Sequence, residues 1–271
     1  TCVDHRFFKW NMEVTQLPLQ ELTCCCYASA LPEIVICLPS LKHLKADVIW
    51  NGQSIKDPLV VGLLNSLESL SLDIKRGNGE SIDALSEVTS LTSLCLSWCQ
   101  DVDFDCLVNL PLLEHLAVSV GSTEDLLCES FVQLVDYLSS FTLTPRSTNE
   151  LEFPWFGGKL ENLKSLQLDR CCLKDESAMR DLTNLTHLSW TNWRSEVGLT
   201  FLLSLRGLKK LVLDIPHDLR HVCLPGHRDY LPINHETLPE LTYLQIKVTK
   251  YQAAWIQTIA GLSRLENLVV V

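Results

Sequence analysis

The apolar positions of this chain keep neither the period of two expected of a long half-buried strand nor the period of 3.6 expected of a helix. They recur instead as Leu-x-x-Leu-x-Leu. In the stretch Leu160, Leu163, Leu166 and Leu168 the last two leucines alternate with Gln167, which predicts a short strand with one buried edge. The leucines before them belong to the turn leading in. One copy could bury almost nothing, so its value lies in being stacked on neighbours. With the first Leu as anchor, copies stand at Leu19, Leu41, Leu67, Leu91, Leu113, Leu138, Leu163, Leu185, Leu208, Leu241 and Leu265. Successive anchors are 22 to 26 residues apart, except for a step of 33 between Leu208 and Leu241.

The two core slots after each anchor are mostly conservative, as in Leu70 and Leu72, Leu94 and Leu96, Leu211 and Leu213, Leu244 and Ile246, or Leu268 and Val270. Cys24 and Ala46 are small and Trp190 is large, so the layers must repack locally there. Several returns between strands read as helical. Ser122 to Asp125 offers an N-cap with acidic first-turn residues, followed by Leu127, Phe131, Leu134 and Leu138 at helical spacing. Thr249 likewise precedes Ala254, Trp255, Ile259 and Leu262. Shorter helical returns are expected near Pro58 to Leu67, Asp175 to Leu182 and Glu196 to Leu205.

On these eleven copies the chain resembles the leucine-rich repeat family over residues 17–271, after an irregular segment or partial repeat at 1–16. The resemblance implies an α/β fold: a curved solenoid of about eleven repeats, with a parallel inner sheet and with helices and irregular turns on the convex side. The 33-residue step implies a longer insert near 214–238. The family repeat usually places Asn or Cys three residues beyond the last core Leu, to cap backbone groups at the turn. Cys99 and Cys171 match that slot, which makes the resemblance to the cysteine-containing subclass partial.

Composition narrows the role. Of the 271 residues, 46% are apolar, enough for a core, and the formal net charge is −11. Such a charge disfavours capture of nucleic acid phosphates or an anionic membrane, and suits a partner with a basic or neutral surface. The twelve cysteines include the run Cys24, Cys25 and Cys26, and others lie in or beside slots that face inward. That placement reads as reduced, buried thiol and an intracellular setting, cytoplasmic or nuclear. No apolar run approaches the roughly 18 residues needed to cross a bilayer, so no membrane insertion is expected. The chain starts at Thr1 and stops at Val271 directly after a core strand, so neighbouring domains of a larger protein are expected on either side.

The residues flanking each core Leu form polar columns on the inner sheet, the usual docking face of a repeat solenoid. Candidate contacts there are Asp47, Asp73, Asp169, Thr191, Lys210, Asp214 and Tyr243, joined by Trp98 and Trp193 just past their strands. In the insert, His217, His221, Cys223 and His227 are soft metal ligands, but their spacing fits no standard zinc site. No phosphate cradle, nucleophile elbow or Walker element occurs. The expectation is therefore a non-catalytic module without cofactor that binds a protein partner through its concave sheet and adjacent loops. By analogy with the family, it would belong to an F-box type ubiquitin ligase adaptor or an intracellular immune receptor. An extracellular receptor portion is the alternative.

Overall fold

The computed structural model describes residues 2–4, 18–27, 37–49, 66–75, 83–99, 104–122, 128–146, 151–154, 160–192, 199–214, 233–247 and 259–271, with positions 30, 31, 34, 126 and 156. The chain forms two compact units, Thr1–Leu134 and Val135–Val271. The first carries strands β1 (Cys2–Asp4), β2 (Glu21–Tyr27), β3 (His43–Ile49), β4 (Ser69–Lys75), β5 (Ser93–Cys99) and β6 (His115–Val120), side by side in sequence order. All of them pair in parallel. β1 lies inside the segment read from sequence as irregular or a partial repeat, and it places Val3 opposite the core slot Cys24.

The register sets like residues against like. Leu22, Leu44, Leu70, Leu94 and Leu116 are partners from strand to strand, as are Cys24, Ala46, Leu72, Leu96 and Val118. A one-residue slip would turn both rows out to solvent, so burial of one face fixes the pairing. The small pair Cys24 and Ala46 are direct neighbours, 3% and 1% exposed, which localises the volume deficit to one layer.

The second unit carries β7 (Ser140–Pro145), β8 (Leu151–Glu152), β9 (Ser165–Asp169), β10 (Cys171–Cys172), β11 (His187–Thr191), β12 (Lys210–Asp214), β13 (Tyr243–Lys247) and β14 (Asn267–Val270). The parallel order is β7-β9-β11-β12-β13-β14, while β8 and β10 make a separate two-stranded ladder. Phe141, Leu166, Leu188, Leu211, Leu244 and Leu268 share one row, and Leu143, Leu168, Trp190, Leu213, Ile246 and Val270 the other. In β14, at the end of this ladder, the core-slot residues Leu268 and Val270 remain exposed.

Every anchor from Leu41 to Leu241 is buried, and all of them but Leu67, whose turn begins outside the described residues, close a turn. The N–H of Leu41 donates to the carbonyl of Leu38, and the same three-residue step links Leu91 to Val88, Leu113 to Leu110, Leu163 to Leu160, Leu185 to Leu182 and Leu208 to Leu205. Pro39, Pro111 and Pro239 sit directly after the accepting leucine, where a turn favours a residue with φ preset near −65°. Past the anchor, two consecutive N–H groups converge on one carbonyl of the preceding repeat. Thr186 and His187 both donate to Lys164, Lys209 and Lys210 to Thr186, and Thr242 and Tyr243 to Lys209. These shared acceptors carry the strand pairing back into the turns.

At Cys171 the cap slot meets backbone carbonyls, as the resemblance implies. The buried thiol of Cys171 lies 3.3 Å from the carbonyl oxygen of Asp169 and 3.7 Å from that of Leu143. Ties between repeats also come from the residue just before the anchor. Asn162 and Asn184 donate through Nδ2 to the carbonyls of Asp136 and Glu161, at 2.7 and 2.8 Å. Ser90 reaches the carbonyl of Leu67 at 2.6 Å in the same way.

Among the described residues the returns mix short α-helices with 3-10 turns. Helix α1 spans Glu129–Val135 and buries Phe131 edge-on to Phe104, with ring centroids 5.2 Å apart. The cap assigned to Ser122–Asp125 falls partly outside the described residues, as does most of the return after Thr249 and the one near Pro58. α2 is a single turn, Ser177–Arg180, and the return near Glu196 is a 3-10 turn, Thr200–Ser204. Further 3-10 turns cover Asp83–Glu87 and Phe104–Asn109. A repeat of 22 to 26 residues must bring the chain back to a strand about 4.8 Å from the last one, and 3-10 turns, with a rise of about 2 Å per residue, cross the outer side in fewer residues than α-helix. Among the described residues no helix is long and apolar enough to cross a membrane.

Candidate functional site

In β6 and β7 burial alternates residue by residue, three side chains of each strand entering the core and those between turning outward, and β9, β11, β12 and β13 bury two each in the same alternation. Three outward columns result. In the second unit these are Ser140, Ser165, His187, Lys210 and Tyr243 before the core pair, and Thr142, Gln167, Ser189, Val212 and Gln245 between. Asp169, Thr191, Asp214 and Lys247 come after it. In the first unit the middle column is Thr23, Lys45, Ser71, Cys95 and Ala117. The outer two columns are those expected from the residues flanking each core pair, and the middle column adds a third. The signal was the alternation itself, since the residue between two buried neighbours must point away from the core.

Asp169 is the hub of a network past the strand ends. Its Oδ1 accepts from the Thr191 hydroxyl at 3.0 Å and from Asn192 Nδ2 at 2.7 Å, while Oδ2 receives Arg170 Nε at 3.2 Å. Burial opposes the Asp169 carboxylate, but these three hydrogen bonds and the Arg170 charge outweigh it and hold the carboxyl below its ordinary range. Asp214 extends the chain, accepting from the Asn192 backbone N–H at 3.4 Å and from Lys247 Nζ at 3.3 Å.

Arg170 and Asn192 occupy the same place in consecutive repeats and both adopt left-handed backbone, with φ of 49° and 52°. Asn tolerates that region, whereas Arg pays about 1 kcal/mol. Arg170 is held there by its N–H on the Thr191 carbonyl at 2.9 Å and its guanidinium on the Pro145 carbonyl at 3.3 Å. No residue-type signal marks Arg170 as a turn residue, so it was not readable from the chain.

At the opposite edge, where strands begin, Lys210 Nζ stands over the Tyr243 ring, 5.1 Å from its centroid, and the Tyr243 hydroxyl donates to Gln245 Oε1 at 3.0 Å. His187 is the strand neighbour of Lys210, and its Nδ1 lies 2.8 Å from the Thr186 hydroxyl. Burial, then the charges of Lys210 and Lys209, lower its proton affinity below the usual imidazole value.

Of the residues singled out from sequence, Asp47, Asp73, Asp169, Thr191, Lys210, Asp214 and Tyr243 all lie on outward columns. Asp47 and Asp73 are half-buried partners on β3 and β4. Lys210 and Tyr243 come together, as do Asp169, Thr191 and Asp214 through Asn192. The structure uses the carboxylates of Asp169 and Asp214 to join its own turns. Trp98 sits in β5 where pairing slips between Leu96 and Cys99, and its side chain lies outside the described residues. Trp193 lies outside them entirely, as do His217, His221, Cys223 and His227. Trp190 is a core residue with no exposure.

No protein-family model matches the chain, and no curated protein matches it. Solved structures match in fold. Internalin C2 of Listeria monocytogenes aligns at a TM-score of 0.55 and 22% identity, covering 78% of this chain and 84% of that one. Internalin F of the same bacterium aligns at 0.50 and 15% identity, covering 91% and 73%. A chain of the mouse RP105/MD-1 complex aligns at 0.57 and 18% identity over 93% of this chain, which spans 47% of that one. These are leucine-rich repeat proteins, and the fold of this chain is likewise a leucine-rich repeat solenoid. That fold is generally a non-enzymatic scaffold for protein interaction.

Proposed function

We propose that this chain is a non-catalytic recognition module that docks a protein partner across the outward face of its parallel sheet. One observation carries the reading: strand after strand, the core takes alternate residues and leaves three polar columns on rigid backbone. Backbone held in paired strands loses little further freedom on binding, which favours docking. The match to a chain of the RP105/MD-1 complex, itself an assembly, adds support. Small residues dominate the middle column at Ser71, Ala117 and Ser189, so a partner can approach the backbone.

The setting we infer is intracellular, cytoplasmic or nuclear, as in the substrate-reading part of an F-box type ubiquitin ligase or the sensor part of an immune receptor. Its support is the thiols Cys24, Cys26 and Cys171, which lie in the core at 3%, 2% and 0% exposure. The partner surface as a whole is basic or neutral, to suit the net charge of −11.

The test of docking compares the chain with a Gln167→Trp/Ser189→Trp variant that unfolds at the same temperature. Both are immobilised and exposed to extract from the native source. Proteins retained by the unaltered chain and lost from the variant support the reading; an identical retained set overturns it. For the setting, thiols are titrated in denatured, unreduced protein from that source. All twelve cysteines free is the expected result, and disulfides would place the chain outside the cell.

A further inference from the structure

The cations at the strand starts of the second unit are not scattered. Lys164 directly precedes β9, Lys209 directly precedes β12, Lys210 begins β12, and His187 begins β11 between them. Backbone hydrogen bonds fix this alignment, with Thr186 N–H on the Lys164 carbonyl at 2.8 Å and Lys209 N–H on the Thr186 carbonyl at 2.8 Å. All four side chains are exposed. Among the described residues no carboxylate lies within ion-pair distance of Lys164, Lys209 or Lys210, although Lys42, Lys174 and Lys247 each have one. The nearest stabilising contact of Lys210 is the face of Tyr243.

In a chain of net charge −11 an unneutralised cationic edge is an exception. We propose that this edge, Lys164, His187, Lys209 and Lys210 with Tyr243 beside it, receives an acidic, extended peptide segment of the protein partner, laid across the strand starts. The proposal rests on the docking reading above and specifies the chemistry of what docks.

Three considerations select an acidic peptide. Lysines two strands apart are separated by about 9.6 Å, close to the ~9.3 Å between carboxylates three residues apart on an extended chain of polyproline II type, whose three-residue turn returns them to one side. Asp or Glu at every third position would therefore meet Lys164 and Lys209 in turn. Second, charges interact over about 8 Å at physiological salt, so a short acidic segment feels the lysines rather than the chain's overall negative charge. The rest of the partner can then be neutral or basic. Third, double-stranded nucleic acid carries one charge per ~1.7 Å and would run on past the patch over acidic surface. The depressed proton affinity of His187 agrees with this field, since Lys209 and Lys210 oppose its protonation and a bound carboxylate would relieve that opposition.

The probe is a fluorescein-labelled twelve-residue peptide with Asp at every third position among Ser and Ala, read by fluorescence anisotropy. Its Asn counterpart, a twelve-nucleotide single strand and phosphatidylserine vesicles serve as alternatives. We expect the Asp peptide to bind and the Asn peptide not to. Lys209→Glu/Lys210→Glu should weaken binding at least about tenfold, since each exposed pair is worth a few-fold and reversal adds repulsion. Lys210→Arg should retain it, and Lys174→Gln, at a lysine elsewhere, should leave it unchanged. Equal binding of both peptides, indifference to the double reversal, or tighter binding of the oligonucleotide or vesicles would overturn the proposal. If extract proteins are lost with Gln167→Trp/Ser189→Trp yet retained by Lys209→Glu/Lys210→Glu, the docking reading stands and this inference fails.

Discussion

The indole N–H of Trp190 donates to the backbone carbonyl oxygen of Cys171 at 2.8 Å, joining the largest core residue of β11 to the short strand β10. Trp190 is wholly buried and its ring lies 5.9 Å from that of Phe201, so one side chain links sheet, side ladder and outer turn. Trp190→Ala should destabilise by about 3–5 kcal/mol through the cavity it leaves. Trp190→Phe keeps much of the volume but strips the Cys171 carbonyl of its donor, at a cost of about 1–3 kcal/mol. Urea unfolding of the two variants should rank them in that order.

The Asp169 network gives a pH dependence of defined sign. Its folded carboxyl titrates below the unfolded value of about 3.9, so its contribution is complete above that pH. It is lost as pH falls through the lower folded value. Asp169→Asn should therefore be less stable than the unaltered chain at pH 6, with the gap closing at pH 3. A gap that stays constant between those pH values, measured by thermal unfolding, would contradict the assignment.

His187 titrates in the opposite sense. Burial and two lysine charges lower its folded value below the unfolded one, so it lowers stability at acid pH and the loss is recovered as pH rises past about 6.5. Lys209→Gln/Lys210→Gln should raise the His187 value, while burial still keeps it below that of a free imidazole. An NMR titration of the ring protons reads this directly.

Thiol reactivity should divide by face. Cys25 and Cys95 lie half-exposed on the outward columns and should react with a maleimide in native protein. Cys171, whose value burial pushes up to about 12, should react only on unfolding. Cys26 should behave likewise, raised by its hydrogen bond to Cys24 and by burial. Peptide mapping of labelled sites at successive urea concentrations distinguishes the two groups.

The anchors Leu41 to Leu241, the core rows and the parallel order were legible because repetition every 22 to 26 residues leaves one way to bury all copies at once. The outer columns holding Asp169, Lys210 and Tyr243 followed from the same alternation, and the middle column with Gln167 and Ser189 was equally available there. Helical returns were legible at Glu129–Val135 and Ser177–Arg180, but the kind of turn elsewhere was not. Whether Thr200–Ser204 winds as α or 3-10 depends on the space between strand ends, which apolar spacing does not report.

By itself, then, the sequence determined the layering: which side chains stack, which face stays polar, and how far apart the strands recur in the chain. These follow from hydrophobic period, a local property of the chain. Only the tertiary structure decided which charges meet. Asp169 and Asp214 are drawn into the turns by Asn192, a residue in left-handed backbone, and among the described residues Lys209 and Lys210 have no carboxylate partner. The physical reason is that Coulomb and hydrogen-bond energies depend on distances of a few ångströms between residues some 20 positions apart. Those distances exist only once the repeats have stacked.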